Sequence, residues 1–262
     1  MPGPLDFSLQ GKVVVQCGGS GALGHSLTSA LTQAGADLIV ASRDPAGLAK
    51  SIAAERSAGG KVESAPVDIA SESSILALRE RVLGARGRID GVVFNSVIRP
   101  MRTMADPLAS WEASMAVNAT GFFALVRAMA DAMADRGSGS IVAIASIQGM
   151  VGANLWLYED DPAMVPPPDY FFHKGGMINL VRYFASRYGP RGVRVNTVCP
   201  GGISHPERAG SPTFLPRYSA MTMLGRPALP EEVSAAAVFL LSDAACGITA
   251  VNLPIDGGYT GK

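Results

Sequence analysis

Lysine is scarce in this chain of 262 residues, with 5 lysines against 17 arginines. Between Lys61 and Lys262 the only one is Lys174. Net charge is lacking too, because 22 basic and 22 acidic residues cancel. That balance gives no electrostatic case for a nucleic acid or an anionic membrane as partner. No apolar run approaches the roughly 20 residues that a membrane-spanning helix requires. The start, MPGPLDFSLQGK, lacks the basic residues and apolar core of a signal peptide. Cysteine is sparse and odd in number. Cys17, Cys199 and Cys246 are far apart in apolar stretches, which argues against a disulfide frame or a metal site and fits core residues in a reducing compartment. These absences point to a soluble cytoplasmic protein. What remains, 48% hydrophobic over this length, suits one α/β domain spanning residues 1–262.

The most informative stretch is 169–189, DYFFHKGGMINLVRYFASRYG. Three prolines, Pro166 to Pro168, precede it, and a helix interior does not tolerate them. Beyond them Met177, Ile178, Val181, Phe184, Ala185 and Tyr188 recur at the three- and four-residue spacing of one buried helical face. Tyr170 and Lys174 stand four apart near its start, so their side chains share a face. A phenol is a weak acid, with a reference pKa of about 10. An ammonium beside it favours the phenolate, which suits general acid–base work near neutral pH.

Residues 12–17, KVVVQC, read as a buried strand, and GGSGALG follows at once. Gly19, Gly21 and Gly24 give G-x-G-x-x-G between that strand and a helical pattern from Ser26. In this context glycines let backbone N–H groups approach a pyrophosphate at a helix N-terminus. A second strand, 37–41, ends at Ser42-Arg43-Asp44. A carboxylate here binds a ribose 2′-hydroxyl, whereas arginine accommodates a 2′-phosphate. Ser42 removes the repelling charge and Arg43 supplies a donor fork, so NADP(H) is expected ahead of NAD(H). Asp44 either pairs with Arg43 or reaches the ribose itself.

A helix over 45–58 and a strand over 61–67 come next. Asp68 then either accepts from an adenine amino group or caps a helix starting near Ser71. The strand 91–94 leads to Asn95-Ser96-Val97. The helical region 108–136 carries Asn118 in mid-helix, a poor helix former. It either back-bonds, bulges the helix or serves a site. A fifth strand, 140–146, ends in Ser146.

These motifs together resemble the short-chain dehydrogenase/reductase family over nearly the whole chain. Tyr170 and Lys174 match its Tyr-x-x-x-Lys pair, Ser146 in SIQG its catalytic serine, and Asn118 in NATG its helix asparagine. Pro200 and Gly201 behind VRVNTVC match its Pro-Gly, and LPIDGG at 253–258 matches its last strand. The resemblance implies one doubly wound Rossmann-like domain with a mainly parallel sheet of about seven strands. It implies hydride transfer between a ketone and an alcohol, with Asn118, Ser146, Tyr170 and Lys174 as catalytic residues. Asn118 would hold a water linking Lys174 to solvent. Cofactor contacts would come from Gly18, Ser20, Gly21, Leu23 and Gly24, from Ser42 and Arg43, and from Asp68, Ile69 and Asn95. Tyr170, Lys174, Pro200, Gly201 and Ile203 would complete them. By the same resemblance, the 108–136 and 169–189 helices pair in a homodimer and the last strand completes a homotetramer.

The chain departs from the family pattern at Cys17, Ala22, Val97 and His205, where Thr and Gly residues are usual. Ser204 is the substitute for the displaced threonine. Ser146 and Tyr170 are 24 positions apart, about twice the family spacing. Tyr158 stands at the usual distance, but Pro162 follows it where the lysine belongs. The extra segment 151–168 forms a wall of the substrate mouth, reaches a neighbouring subunit or is a solvated excursion. Its acidic run, Glu159 to Asp161, reads as solvated. Residues 204–223 fall where the family places its substrate loop, with His205, Arg208, Arg217 and Tyr218 as polar contacts. The substrate implied is a small carbonyl or alcohol: a sugar, a sugar acid or a natural-product ketone. Alternatives are a 3-oxoacyl thioester, isomerase or lyase chemistry with recycled cofactor, and a non-redox nucleotide-binding regulator.

Overall fold

The computed structural model describes residues 6–160, 162–204 and 213–262. Asp161, His205 and Arg208 lie outside them. The strands β1 (Val13–Cys17), β2 (Asp37–Ser42), β3 (Val62–Pro66), β4 (Gly91–Phe94), β5 (Gly139–Ile144), β6 (Val193–Pro200) and β7 (Asn252–Ile255) form one sheet. Its order is β3-β2-β1-β4-β5-β6-β7, and every neighbouring pair is parallel. A parallel sheet is covered on both faces, which is why β1 and β4 are buried along their whole length.

Side chains alternate between two helical layers. Val13, Val15 and Cys17 face α4 (Glu72–Arg86), α6 (Phe122–Arg136) and α7 (Pro168–Tyr188), whose Leu78, Met129 and Phe184 lie in the same core. Val14, Leu38 and Val142 face α1 (Ala22–Gln33) and α9 (Pro230–Leu241) through Leu27, Leu31 and Leu240. The chain leaves β1 toward β2 and β3, then returns to β4 on the other side of β1. The loops after β1 and β4 therefore diverge and open a crevice at the carboxyl edge, where such sheets bind ligands.

Several boundaries differ from expectation. The 45–58 helix is two pieces, α2 (Pro45–Ser51) and α3 (Ala53–Ser57), divided at Ile52 with φ −93° and ψ 8°. The buried Ile52 side chain joins the core of the α1 face. β5 stops at Ile144, so Ser146 stands beyond the strand, extended, and caps a 3₁₀ turn, Ile147–Gly149. The last strand ends at Ile255, and Asp256 folds the following turn by accepting from Gly258 N and Thr260 N, each at 2.9 Å. The 108–136 run is α5 (Leu108–Met115), a π turn (Ala116–Gly121) and α6. By length and composition alone this run is long and apolar enough to cross a membrane. Burial of Phe122, Leu125, Met129 and Met133 against the sheet accounts for its apolarity. Cys17 and Cys199 are buried as expected, but Cys246 is exposed.

Candidate active site

Pro168 takes the first helical position of α7, where no N–H is needed. Nearly two turns on, the Lys174 side chain is buried and its Nζ donates to the Ile144 carbonyl at 2.6 Å. Nζ also lies 5.7 Å from the centre of the half-buried Tyr170 ring. Burial, reinforced by the Arg99 charge, pushes the Lys174 amine down to about 7, with the Cys199 thiol acting the other way. The 3₁₀ turn that Ser146 caps presses on α7 at this point. A Cβ on Gly149 would stand 2.7 Å from the Lys174 carbonyl carbon and oxygen, so only glycine allows the approach. Ser146 Oγ accepts from Gln148 N at 3.1 Å, which leaves its own proton to donate. Ser146, Tyr170 and Lys174 thus gather at the carboxyl end of β5 despite their sequence separation.

Asn118 combines two of its expected behaviours. It sits in the π turn, a distortion common at functional sites. Its amide exchanges two hydrogen bonds with Ile98, accepting from N at 3.0 Å and donating to O at 2.9 Å. It also donates to Ser114 Oγ at 2.9 Å. Both donors are therefore committed to protein partners. Gly121 in the same turn packs on Ile69, whose carbonyl oxygen a Cβ there would meet at 2.3 Å. The result is a fixed path for the segment after β4.

That path brings in Arg99, which the sequence reading did not single out. Its guanidinium carbon stands 4.8 Å from the Tyr170 ring centre. His173 was missed as well. It is buried, its ring meets that of Tyr170 edge-on at 5.3 Å, and neither ring nitrogen has a partner among the described residues. Burial, then the Lys174 and Arg99 charges, push it down to about 3, so the imidazole is neutral. An arginine after a strand and a histidine before a lysine carry no spacing signal; only the folded chain shows their neighbours. Tyr158, the alternative at family spacing, packs in a row of rings and lies within electrostatic reach of Tyr170. It is buried against Phe214 at 5.3 Å, and burial raises its phenol to about 12.

At the β1–β4 crevice the glycine loop fits a dinucleotide. A Cβ on Gly18 would lie 2.7 Å from Ser96 N, and one on Gly24 would lie 2.6 Å from the Gly19 carbonyl carbon. Gly21, at φ +88°, caps α1 with nothing within 4 Å of its Cβ position. Open space thus meets the unpaired N–H groups of a helix start. Asn95 Nδ2 donates to Gly18 O at 2.8 Å, and the buried Gln16 donates to Gly24 O at 2.9 Å. Asn95 is thereby placed as a brace for the loop. Ser20 is exposed on it and Leu23 is half-buried.

At the β2 end Arg43 is exposed, next to the half-buried Ser42, with no ion pair among the described residues. Asp44 makes no ion pair with Arg43 among the described residues. Its Oδ1 accepts from Gly47 N at 2.9 Å and caps α2. Asp68 is not the cap of α4, since Ser71 takes that place. The exposed Asp68 accepts from Ala70 N at 3.0 Å, beside the buried Ile69. Pro200 ends β6 and Gly201 N donates to Ile255 O at 3.0 Å. Ile203 bridges to Ala228, and the Tyr218 hydroxyl accepts from Gly202 N.

The extra segment packs on α8 (Phe214–Met221). Tyr158, Phe214, Tyr218 and Tyr259 form a continuous row of rings at 5.3, 5.7 and 5.3 Å. Arg217 lies over Trp156 at 5.2 Å and donates to its carbonyl at 3.1 Å. It also pairs with Asp160 at 3.0 Å and Glu159 at 3.8 Å. Glu159 and Asp160 are therefore not merely solvated.

A family model described as enoyl-(acyl carrier protein) reductase matches residues 19–260. The chain is 33% identical over 261 residues to a 2-(S)-hydroxypropyl-CoM dehydrogenase of Xanthobacter autotrophicus, covering 96% of this chain and 98% of that one. It is 35% identical over 263 residues to a 2,5-dichloro-2,5-cyclohexadiene-1,4-diol dehydrogenase of Sphingobium indicum, with 96% and 98% covered. Among solved structures, a gluconate 5-dehydrogenase of Burkholderia cenocepacia in complex with NADP and tartrate superposes with a TM-score of 0.88 at 25% identity, over 99% of each chain. The parallel sheet, the glycine crevice and the Tyr–Lys pair thus belong to a member of the short-chain dehydrogenase/reductase family, an NAD(P)-dependent oxidoreductase acting on CH–OH groups.

Proposed function

We propose that this chain interconverts a secondary alcohol and a ketone with NADP(H), on a small polar substrate such as a polyol, a sugar acid or a cyclic hydroxy compound. The observation that carries the reading is the buried Lys174 amine beneath the Tyr170 ring, beside the turn that Ser146 caps. Ser146 has a proton left to donate to a carbonyl oxygen. The half-buried Tyr170 gives that oxygen a proton in reduction and takes one in oxidation. Lys174 places its amine beneath the phenol ring. Asn118 acts through Ile98 and fixes the loop over Tyr170 rather than touching the reacting atoms.

Gly18, Gly21, Gly24 and the start of α1 would hold the pyrophosphate, and Arg43 a 2′-phosphate. The cofactor, when bound, supplies or accepts the hydride. Support for NADP(H) comes from Ser42 at the strand end, the unpaired Arg43 and the engagement of Asp44 in a helix cap. Support for the substrate class comes from relatives named for hydroxypropyl-CoM, a cyclohexadienediol and gluconate. The test is steady-state turnover of ketoses, keto acids and cyclic ketones with each reduced cofactor. NADPH should exceed NADH in kcat/KM, and Arg43→Ala should erase roughly tenfold or more of that preference through the NADPH KM. A preference for NADH that Arg43→Ala leaves in place would contradict the assignment.

A further inference from the structure

Arg99 is exposed on the segment after β4, beside the proton donor Tyr170. Its guanidinium carbon is 4.8 Å from the Tyr170 ring centre, and it makes no hydrogen bond or ion pair among the described residues. No carboxylate among the described residues pairs with its charge. Lys174 is a second cation, satisfied by the Ile144 carbonyl and not by a carboxylate. His173 is neutral, and Tyr170 is a phenol. The acid of the same loop, Asp106, is committed within its turn, accepting from Thr103 Oγ1 at 2.9 Å and from Arg102 N at 2.5 Å. Arg217, on α8, is already neutralised by Asp160 and Glu159.

The Arg99 side chain is exposed, but the backbone that carries it is held in place. Asn118 holds the preceding residue, Ile98, by both its N–H and its carbonyl. That clamp comes from the π turn, so the distortion in the long helix and the position of Arg99 have one cause. A guanidinium lying over a ring keeps its N–H edge available as a planar, two-pronged donor, the geometry that matches a carboxylate.

We propose that Arg99 reads a carboxylate on the substrate, which makes the substrate a hydroxy acid or keto acid whose charge lies close to the reacting carbon. This rests on Tyr170 being the proton donor. It deepens that reading by naming the substrate class and the residue that selects it. Binding such an anion sets a negative charge against Arg99 beside the Tyr170 ring. The site is then complete only with a charged substrate in it.

The test compares matched substrates that differ in charge alone: acetoacetate with acetoacetamide, and levulinate with levulinamide. The full chain is assayed with NADPH and NADH, alongside Arg99→Gln and Arg99→Lys. The wild type should favour the acid of each pair in kcat/KM by roughly tenfold or more. Arg99→Gln should collapse that acid-to-amide ratio through the KM of the acid, and Arg99→Lys should restore part of it. Equal losses on acid and amide would overturn the proposal, since Arg99 would then serve Tyr170 and not the substrate. Turnover of neutral ketones with no preference for acids would overturn it and leave the oxidoreductase reading standing. No turnover of any ketone with either cofactor would overturn both.

Discussion

Lys174 has the most consequential environment of any single side chain. Its amine is buried on a carbonyl, and its pKa falls from 10.5 to about 7. Between those values the unfolded chain keeps a proton that the folded chain has released, so stability rises with pH across that window. Below about 7 both states are protonated, and the cost of the buried charge is complete. The chain without nucleotide should therefore gain thermal stability from pH 7 toward 10, and Lys174→Met should flatten that rise. Melting temperatures across that range, with an unchanged slope in the variant, would contradict the account. At this scale the sequence was informative where spacing carries geometry, as at Tyr170 and Lys174. It was silent on Arg99, whose role depends on a clamp by Asn118 from another element. It left Asp44 and Asp68 open, because a carboxylate at a strand end serves a cap or a ligand equally well until its N–H partners are known.

Among the elements, two local features do the positioning: the π turn in the long helix and the 3₁₀ turn after β5. The π turn was legible only as one of three readings of Asn118, and the 3₁₀ turn not at all. Apolar periodicity tolerates one inserted residue, so a π turn looks like continued helix. A strand and an extended cap residue read alike, which carried β5 on to Ser146. The 3₁₀ turn offers a direct check through its glycines. A Cβ on Gly149 meets the Lys174 backbone at 2.7 Å, whereas nothing lies within 4 Å of one on Gly152. Gly149→Ala should cost about 1–3 kcal/mol, as overpacking does, and lower turnover by shifting Lys174. Gly152→Ala should stay within about 0.5 kcal/mol. Denaturant midpoints would compare them, and equal midpoints would refute the close packing. The extra segment belongs at this scale too. Its length showed that the chain must leave the site and return, but its seat on α8 depends on Tyr158, Phe214, Tyr218 and Tyr259 meeting across more than a hundred residues.

Across the whole molecule, β-branched runs alternating with helical patterns specify a doubly wound sheet, and the reversal of strand order at β1 fixes where the crevice opens. The first five strands were readable by composition, whereas β6, β7 and the doubly wound arrangement came from the family resemblance. The sheet proved wholly parallel. The site lies where the ends of β1, β4, β5 and β6 converge, and it draws its groups from residues 18 to 218.

The central claim is that Tyr170 moves the proton in a carbonyl–alcohol interconversion. The most direct measurement is the loss of reduced-nicotinamide absorbance during ketone reduction by the wild type and Tyr170→Phe. Cofactor binding to each protein is followed separately by fluorescence. The account predicts that the variant still binds the cofactor while its kcat falls by about 10²–10⁴-fold. A variant that binds the cofactor and reduces the ketone at the wild-type rate would contradict it.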